Sequence, residues 1–145
     1  MTFSEFRSWV ESKPDRLLGV HPHSEEECDQ FESQLGYRLP KSLRWLLIHY
    51  GCSRACGVED LAEAVDQTID CRNQGLISRE WLILNDYGDG GVVMLNLVNG
   101  GICWCDMGQL EEFGSGRRPE DATWFDGFEE WAASRLTIKE INERR

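Results

Sequence analysis

Trp81-Leu82-Ile83-Leu84 is followed by Asp86-Tyr87-Gly88-Asp89-Gly90-Gly91, then by Val92-Val93-Met94-Leu95-Asn96-Leu97, Asn99-Gly100-Gly101 and Ile102-Cys103-Trp104-Cys105. Three short apolar runs thus alternate with two sequences rich in glycine, asparagine and aspartate. Those residues supply the left-handed backbone and the side-chain-to-backbone hydrogen bonds that tight turns need. Strand, turn, strand, turn, strand reads as an antiparallel meander.

Toward the N-terminus the periodicity changes from two to about four. Ser4 to Glu11 places Phe6, Trp9 and Val10 on one side of a short helix, which Lys13-Pro14-Asp15 ends. Ser24 followed by Glu27 is a capping box, and Cys28, Phe31 and Leu35 recur behind it until Gly36. Leu39-Pro40 opens a third helix with Leu43, Leu46, Leu47 and Tyr50 as its stripe and Gly51 as its stop. A fourth helix over about Glu59 to Asn73 carries Leu61, Val65 and Ile69, and Gln74-Gly75 ends it. Beyond the meander, Phe128, Trp131, Ala132, Arg135 and Leu136 predict a last helix over about Trp124 to Ile138, with the Arg135 stem covering part of the stripe. Helices first, strands next and a helix last is an α+β pattern, an antiparallel or mixed sheet packed with helices.

A chain of 145 residues suits one domain with a core that needs neither disulfides nor metal. Its 26 acids against 15 bases give a net charge of −11. That balance argues against nucleic acid and against anionic membranes, both of which demand clustered Lys and Arg. It favours a basic protein partner. The charge is segregated. Residues 1–35 hold 8 acids and 3 bases, residues 36–58 hold 4 bases and no acid, and residues 59–75 hold 5 acids and one base. The N-terminal residues contain no signal-peptide core, and the longest apolar run is Trp45 to Ile48. The expectation is a cytoplasmic chain whose six cysteines are reduced thiols.

Three stretches carry a family resemblance. Leu35-Gly36-Tyr37-Arg38-Leu39-Pro40 leads into the helix Ser42 to Tyr50 and Gly51. Trp81 to Leu84 leads through Tyr87-Gly88-Asp89-Gly90 to Val93-Met94-Leu95-Asn96. Trp124-Phe125-Asp126-Gly127-Phe128-Glu129-Glu130-Trp131 opens the last helix. In this order they resemble the SUKH superfamily, which includes a fungal regulator of cell-wall glucan synthesis and many bacterial toxin-immunity proteins. The chain departs from the family pattern at His49-Tyr50, where asparagine is common before the glycine, and at Asn96, where aspartate is common. The resemblance spans about residues 24–138 of a single domain, leaving 1–23 as an extension with a short helix and 139–145 as a tail. It implies a mixed sheet with helices packed on it, Trp81 and Trp131 as core residues, and binding rather than catalysis.

The residues that could carry chemistry have plainer roles available. Cys52, Cys56, Cys103 and Cys105 could supply four thiolates to zinc, but a Cys-x-Cys within a strand is a poor knuckle, and buried cysteines pack as small hydrophobes. His21, His23 and Cys28 form a loose grouping in which His21-Pro22 reads as a solvated loop. His49 and Cys52 could touch, yet a helix C-terminus raises a thiol pKa rather than lowering it. Asp86 to Gly91 fails as a calcium loop, because its third position is Gly88 and its twelfth is Leu97. Arg117-Arg118 and the basic stretch 36–58 could touch phosphate, but Arg38, Lys41 and Arg44 lie among acidic neighbours and read as intramolecular ion-pair partners or a solvated face. No motif calls for a cofactor or a metal.

The leading expectation is therefore a non-catalytic immunity protein that neutralises a basic toxin domain by direct binding, with an acidic surface standing in for phosphate. Contacts are expected from Glu59, Asp60, Glu63 and Asp66 on the fourth helix, from Asp86 and Asp89, and from Glu111 and Glu112. A regulatory or scaffold protein binding a host protein is one alternative. An enzyme or zinc protein is another.

Overall fold

The computed structural model describes residues 1–13, 21–52 and 56–143, the last eight as backbone only. Four helices come first: α1 (Phe3–Glu11), α2 (Glu25–Leu35), α3 (Lys41–His49) and α4 (Leu61–Asn73). The strands β1 (Trp81–Asp86), β2 (Gly91–Asn96) and β3 (Ile102–Asp106) follow, then a turn of 3-10 helix, the one-turn α5 (Glu112–Ser115), β4 (Thr123–Phe125) and α6 (Phe128–Glu143). The sheet order is β1-β2-β3-β4, every neighbouring pair antiparallel. This is the α+β meander that the sequence predicts, and not the mixed sheet that the resemblance implied. Two tight hairpins join the first three strands, and neither can connect parallel neighbours.

Both faces of the sheet are covered. Leu82, Leu84, Val93, Leu95 and Ile102 pack under the helices with Phe6, Phe31, Leu46, Val65, Phe128 and Trp131. Ile83, Val92, Met94, Cys103 and Cys105 face the other way, against Ile77, Leu110 and Phe113. The alternation follows from the two-residue period of a strand. Double coverage explains why β1 and β2 read as unbroken apolar runs instead of alternating with polar residues.

Local signals act where the sequence places them. Ser24 accepts from the Glu27 N–H while Glu27 accepts from the Ser24 N–H, closing the capping box of α2. Gly36 ends that helix in the left-handed conformation, φ 78°. Thr2 and Glu5 form a second capping box at α1. α1 lies outside the stretch that carries the resemblance, yet its Phe6 and Val10 are fully buried. Phe6 meets Trp45 and Phe128 edge-on, with ring centroids 6.1 and 5.9 Å apart.

The C-terminal part differs from the sequence reading. The last helix runs from Phe128 to Glu143, not from Trp124 to Ile138, so it extends into the expected tail. Trp124 and Phe125 instead pair with Cys103 and Ile102 as β4. Aromatic residues favour strands, and Asp126-Gly127 interrupts the backbone before the helix begins. The segment between β3 and β4 folds over the face of the sheet away from the helix-side core and delivers Leu110 and Phe113 to it. Trp81 is half-buried against Phe113, 4.7 Å between centroids, whereas Trp131 is fully buried. Arg135 covers the stripe with its charged end, not only its stem: the guanidinium lies 5.3 Å from the Trp104 and Trp131 rings. Leu136 lies beyond the described side chains.

Candidate functional site

α4 runs along the open edge of β1. The Ile83 N–H, which points away from β2, donates to the Thr68 hydroxyl at 2.9 Å. A bulge at Leu84 shifts the register of β1 against β2. Past the bulge, buried Asn85 accepts from the Glu59 N–H at 3.1 Å and donates to the Gly57 carbonyl. These contacts hold the start of α4 beside the β1–β2 turn.

Between them lies an open groove of about 410 Å³. Glu59, Asp60, Glu63 and Asp86 line it with Gln67 and Asn85, and no Lys or Arg is among the described lining residues. Asp60 caps α4 by accepting from the Glu63 N–H at 3.1 Å. Asp86 accepts from the Gln67 amide at 2.8 Å and from the Gly88 N–H at 2.9 Å. Four carboxylates of one sign on low-dielectric walls focus a negative potential, which attracts a cationic surface.

The structure thus brings together four of the eight acids expected to make contacts. Asp66 is exposed on α4 but does not line the groove. Asp89 is exposed in the adjoining turn, where it accepts from the Gly91 N–H at 2.9 Å. Glu111 and Glu112 stand apart. The carbonyl of the neighbouring Phe113 accepts from the N–H and hydroxyl of Ser78, beyond the C-terminal end of α4. With 13 residues in α4, about 20 Å of helix separates that end from the Asp60 cap. The sequence reading missed Gln67 and Asn85. A polar residue closing the apolar run Leu82-Ile83-Leu84 was the one signal pointing to Asn85.

A second open groove, about 620 Å³, lies at the opposite side of the fold between the β2–β3 turn and the start of α6. It holds Met1 and Val98, the large apolar side chains left exposed among the described residues. Its charges are mixed. Glu130 binds the Met1 ammonium at 2.6 Å, Glu129 accepts from the Ser42 hydroxyl at 2.6 Å, and Arg38 stands at the rim.

The cysteines and histidines do not gather in the sets that the sequence allows. Cys52 and Cys56 pack with the helix-side cluster, Cys103 and Cys105 with the cluster across the sheet, so the four thiols do not converge. Among the described residues no three His, Cys, Asp or Glu side chains gather to hold a metal ion. Cys28 is fully buried, whereas His21 is exposed. His49 lies on Trp45, 5.3 Å between ring centroids, and not on Cys52. The partner of Cys52 is His23, 29 positions away, with 3.5 Å between Sγ and Nε2. His21 and Pro22 are exposed and outside any helix or strand, as the solvated-loop reading has it, whereas His23 turns inward. Its Nδ1 is 2.9 Å from Glu27 and its ring meets Phe31 edge-on.

Among the basic residues, Arg44 is an intramolecular ion-pair partner as expected. Arg44 pairs with Asp29 and Glu32 at 3.0 and 2.9 Å. Lys41 sits over Phe3 and Arg118 over Trp124. Arg54 lies outside the described residues. No described helix is long and apolar enough to cross a membrane.

Comparison with curated proteins gives no match. A family model does match, over residues 22–134, from just before α2 into α6. It covers all three motif stretches and most of the α+β architecture described above. The chain belongs to the SMI1 / KNR4 family (SUKH-1).

Proposed function

We propose that this chain is a non-catalytic binding protein that acts as an immunity protein, occluding a basic toxin domain through direct contact with the groove between α4 and the β1–β2 turn. The observation that carries the reading is the convergence of Glu59, Asp60, Glu63 and Asp86 on one concave surface without a described cation in its lining. Nucleases and other phosphate-binding toxins present clustered Lys and Arg, and a fixed array of carboxylates imitates their polyanionic substrate. The overall charge of −11 extends the same field beyond the groove. Asp89, at the groove's edge, adds to it.

Recovery of the partner from the native cell is the first test. A toxin-like domain co-purifying with the chain supports the reading, while a biosynthetic enzyme complex overturns it in favour of a regulatory role. With the partner in hand, association should slow on the order of tenfold or more between low and high ionic strength. Glu63→Gln with Asp86→Asn should slow association further and leave dissociation nearly unchanged. An on-rate indifferent to both salt and these substitutions removes the groove from the interface.

A further inference from the structure

Binding leaves one cluster of the molecule without a role. Cys52 follows Gly51 at the C-terminal end of α3, and its sulfur lies 3.5 Å from His23 Nε2. The other ring nitrogen of His23 is 2.9 Å from Glu27 Oε2. With the carboxylate accepting from Nδ1–H, the Nε2 lone pair faces the thiol. The sulfur also accepts from the Leu61 N–H at 3.3 Å, the first amide of α4. A thiol, an imidazole and a carboxylate in sequence, with a helix-start N–H on the sulfur, is the arrangement that lets a thiol give up its proton as it reacts.

The fold builds this arrangement deliberately. The His23 N–H donates to the Leu47 carbonyl at 2.8 Å, which pins residues 21–23 to the end of α3. Gly51 takes φ 85°, and a Cβ there would stand 2.0 Å from the His21 carbonyl oxygen, so the two segments are in direct backbone contact. His23 is 20% exposed and Glu27 52% exposed at their side chains. Cys52 is half-buried, while Cys28, Cys56 and Cys103 are fully enclosed.

We propose that Cys52 is a hydroperoxide-reactive thiol, with His23 as the base that takes its proton and Glu27 as the positioning residue that holds the imidazole. In the resting protein the thiol keeps its proton. Burial pushes its pKa up, the Leu61 N–H opposes that, and Asp60 adds to it. Reaction therefore runs through general-base assistance. As sulfur attacks one peroxide oxygen, His23 Nε2 takes the thiol proton, the S–O bond forms and the O–O bond breaks. The leaving oxygen takes the proton from the imidazolium and departs as water, or as an alcohol from an organic hydroperoxide. Sulfur loses two electrons, the peroxide gains them, and Cys52 ends as a sulfenic acid beside neutral His23. The charged groups facing the pair are Glu27 from α2 and Asp60 at the start of α4. Glu27 favours the transient imidazolium, and the Leu61 N–H favours the developing charge on sulfur.

Cys71 is the internal control, because it is also half-buried but has Asp70 and Asp86 as its charged neighbours. The experiment treats the full chain with hydrogen peroxide, traps sulfenic acid with dimedone and reads each cysteine peptide by mass spectrometry across pH. Cys52 should be trapped at least about tenfold faster than Cys71, with a pH dependence that Cys71 lacks. His23→Gln should remove both differences. Glu27→Gln takes the carboxylate away from the imidazole, and should slow Cys52 and alter its pH profile. Protection of Cys28 reports whether each variant is folded; if His23→Gln exposes it, the wild-type ratio and Glu27→Gln decide. Equal rates at Cys52 and Cys71, or a pH profile untouched by Glu27→Gln, overturn the proposal.

Discussion

The backbone N–H of Ile83 donates to the hydroxyl of Thr68 at 2.9 Å, fully inside the protein. Together with the bonds from Glu59 to Asn85 and from Gln67 to Asp86, it ties α4 to the edge of the sheet, and one wall of the acidic groove to the other. An edge strand otherwise offers unpaired N–H groups to any passing strand. Thr68→Val keeps the shape and removes the acceptor, leaving a buried donor without a partner. Denaturant titration should show a loss of about 1–3 kcal/mol. Thr68→Ser should recover most of it.

The first helix should prove integral to the domain. Phe6 is fully buried and touches both Trp45 and Phe128. Phe6→Ala removes a large apolar surface from a site wedged between two other helices, α3 and α6. The expected cost is about 3–5 kcal/mol in equilibrium unfolding. A cost under about 1 kcal/mol would mean that α1 docks only loosely.

Two left-handed glycines should respond differently to alanine. Gly100 has φ 80° with nothing within 4 Å of a Cβ, so Gly100→Ala should cost about 1–2 kcal/mol from backbone strain alone. Gly51 has φ 85° and the His21 carbonyl oxygen 2.0 Å from its Cβ position. Backbone cannot rotate aside as a side chain can. Gly51→Ala should therefore cost about 1–3 kcal/mol more than Gly100→Ala in thermal or chemical unfolding, and should also separate His23 from Cys52.

Acid should weaken the first two helices through their capping boxes. The Thr2 N–H holds the Glu5 carboxyl below the ordinary value of 4.5. His23 and then the Ser24 N–H do the same for Glu27. A carboxyl lowered on folding contributes stability that is fully present above its unfolded pKa and lost as pH falls through its folded one. The melting temperature of a Glu5→Gln, Glu27→Gln double variant should lie below that of the wild type at neutral pH. The gap should close as pH drops below 4.5. A gap that persists in strong acid would place the effect elsewhere.

Much of the fold is legible in local sequence. The capping box at Ser24 and Glu27, the stop at Gly36 and the turns at Asp86 to Gly91 and Asn99 to Gly101 each act within a few residues. Their hydrogen bonds form wherever the chain places them. The same range explains what was misread. Trp124 and Phe125 have the apolar character of either a helix start or a strand, and only the open edge of β3 makes them a strand.

The site was legible in composition but not in membership. Eight acids were open to partner contact, and four share the groove, because α4 happens to lie along β1 and carries Glu59, Asp60 and Glu63 to Asp86. Glu111 and Glu112 carry the same charge and end up beyond the far end of that helix. The contact between His23 and Cys52 spans 29 positions and depends on where α3 ends and how Gly51 turns.

By itself the sequence determined the type of most elements, the α+β order, the meander and the acidic character, because propensity, capping and charge are properties of neighbouring residues. Tertiary structure alone decided which face each strand residue meets, which acids converge and which histidine meets which thiol. Those outcomes depend on the packing of segments far apart in the chain, where no short-range signal reaches.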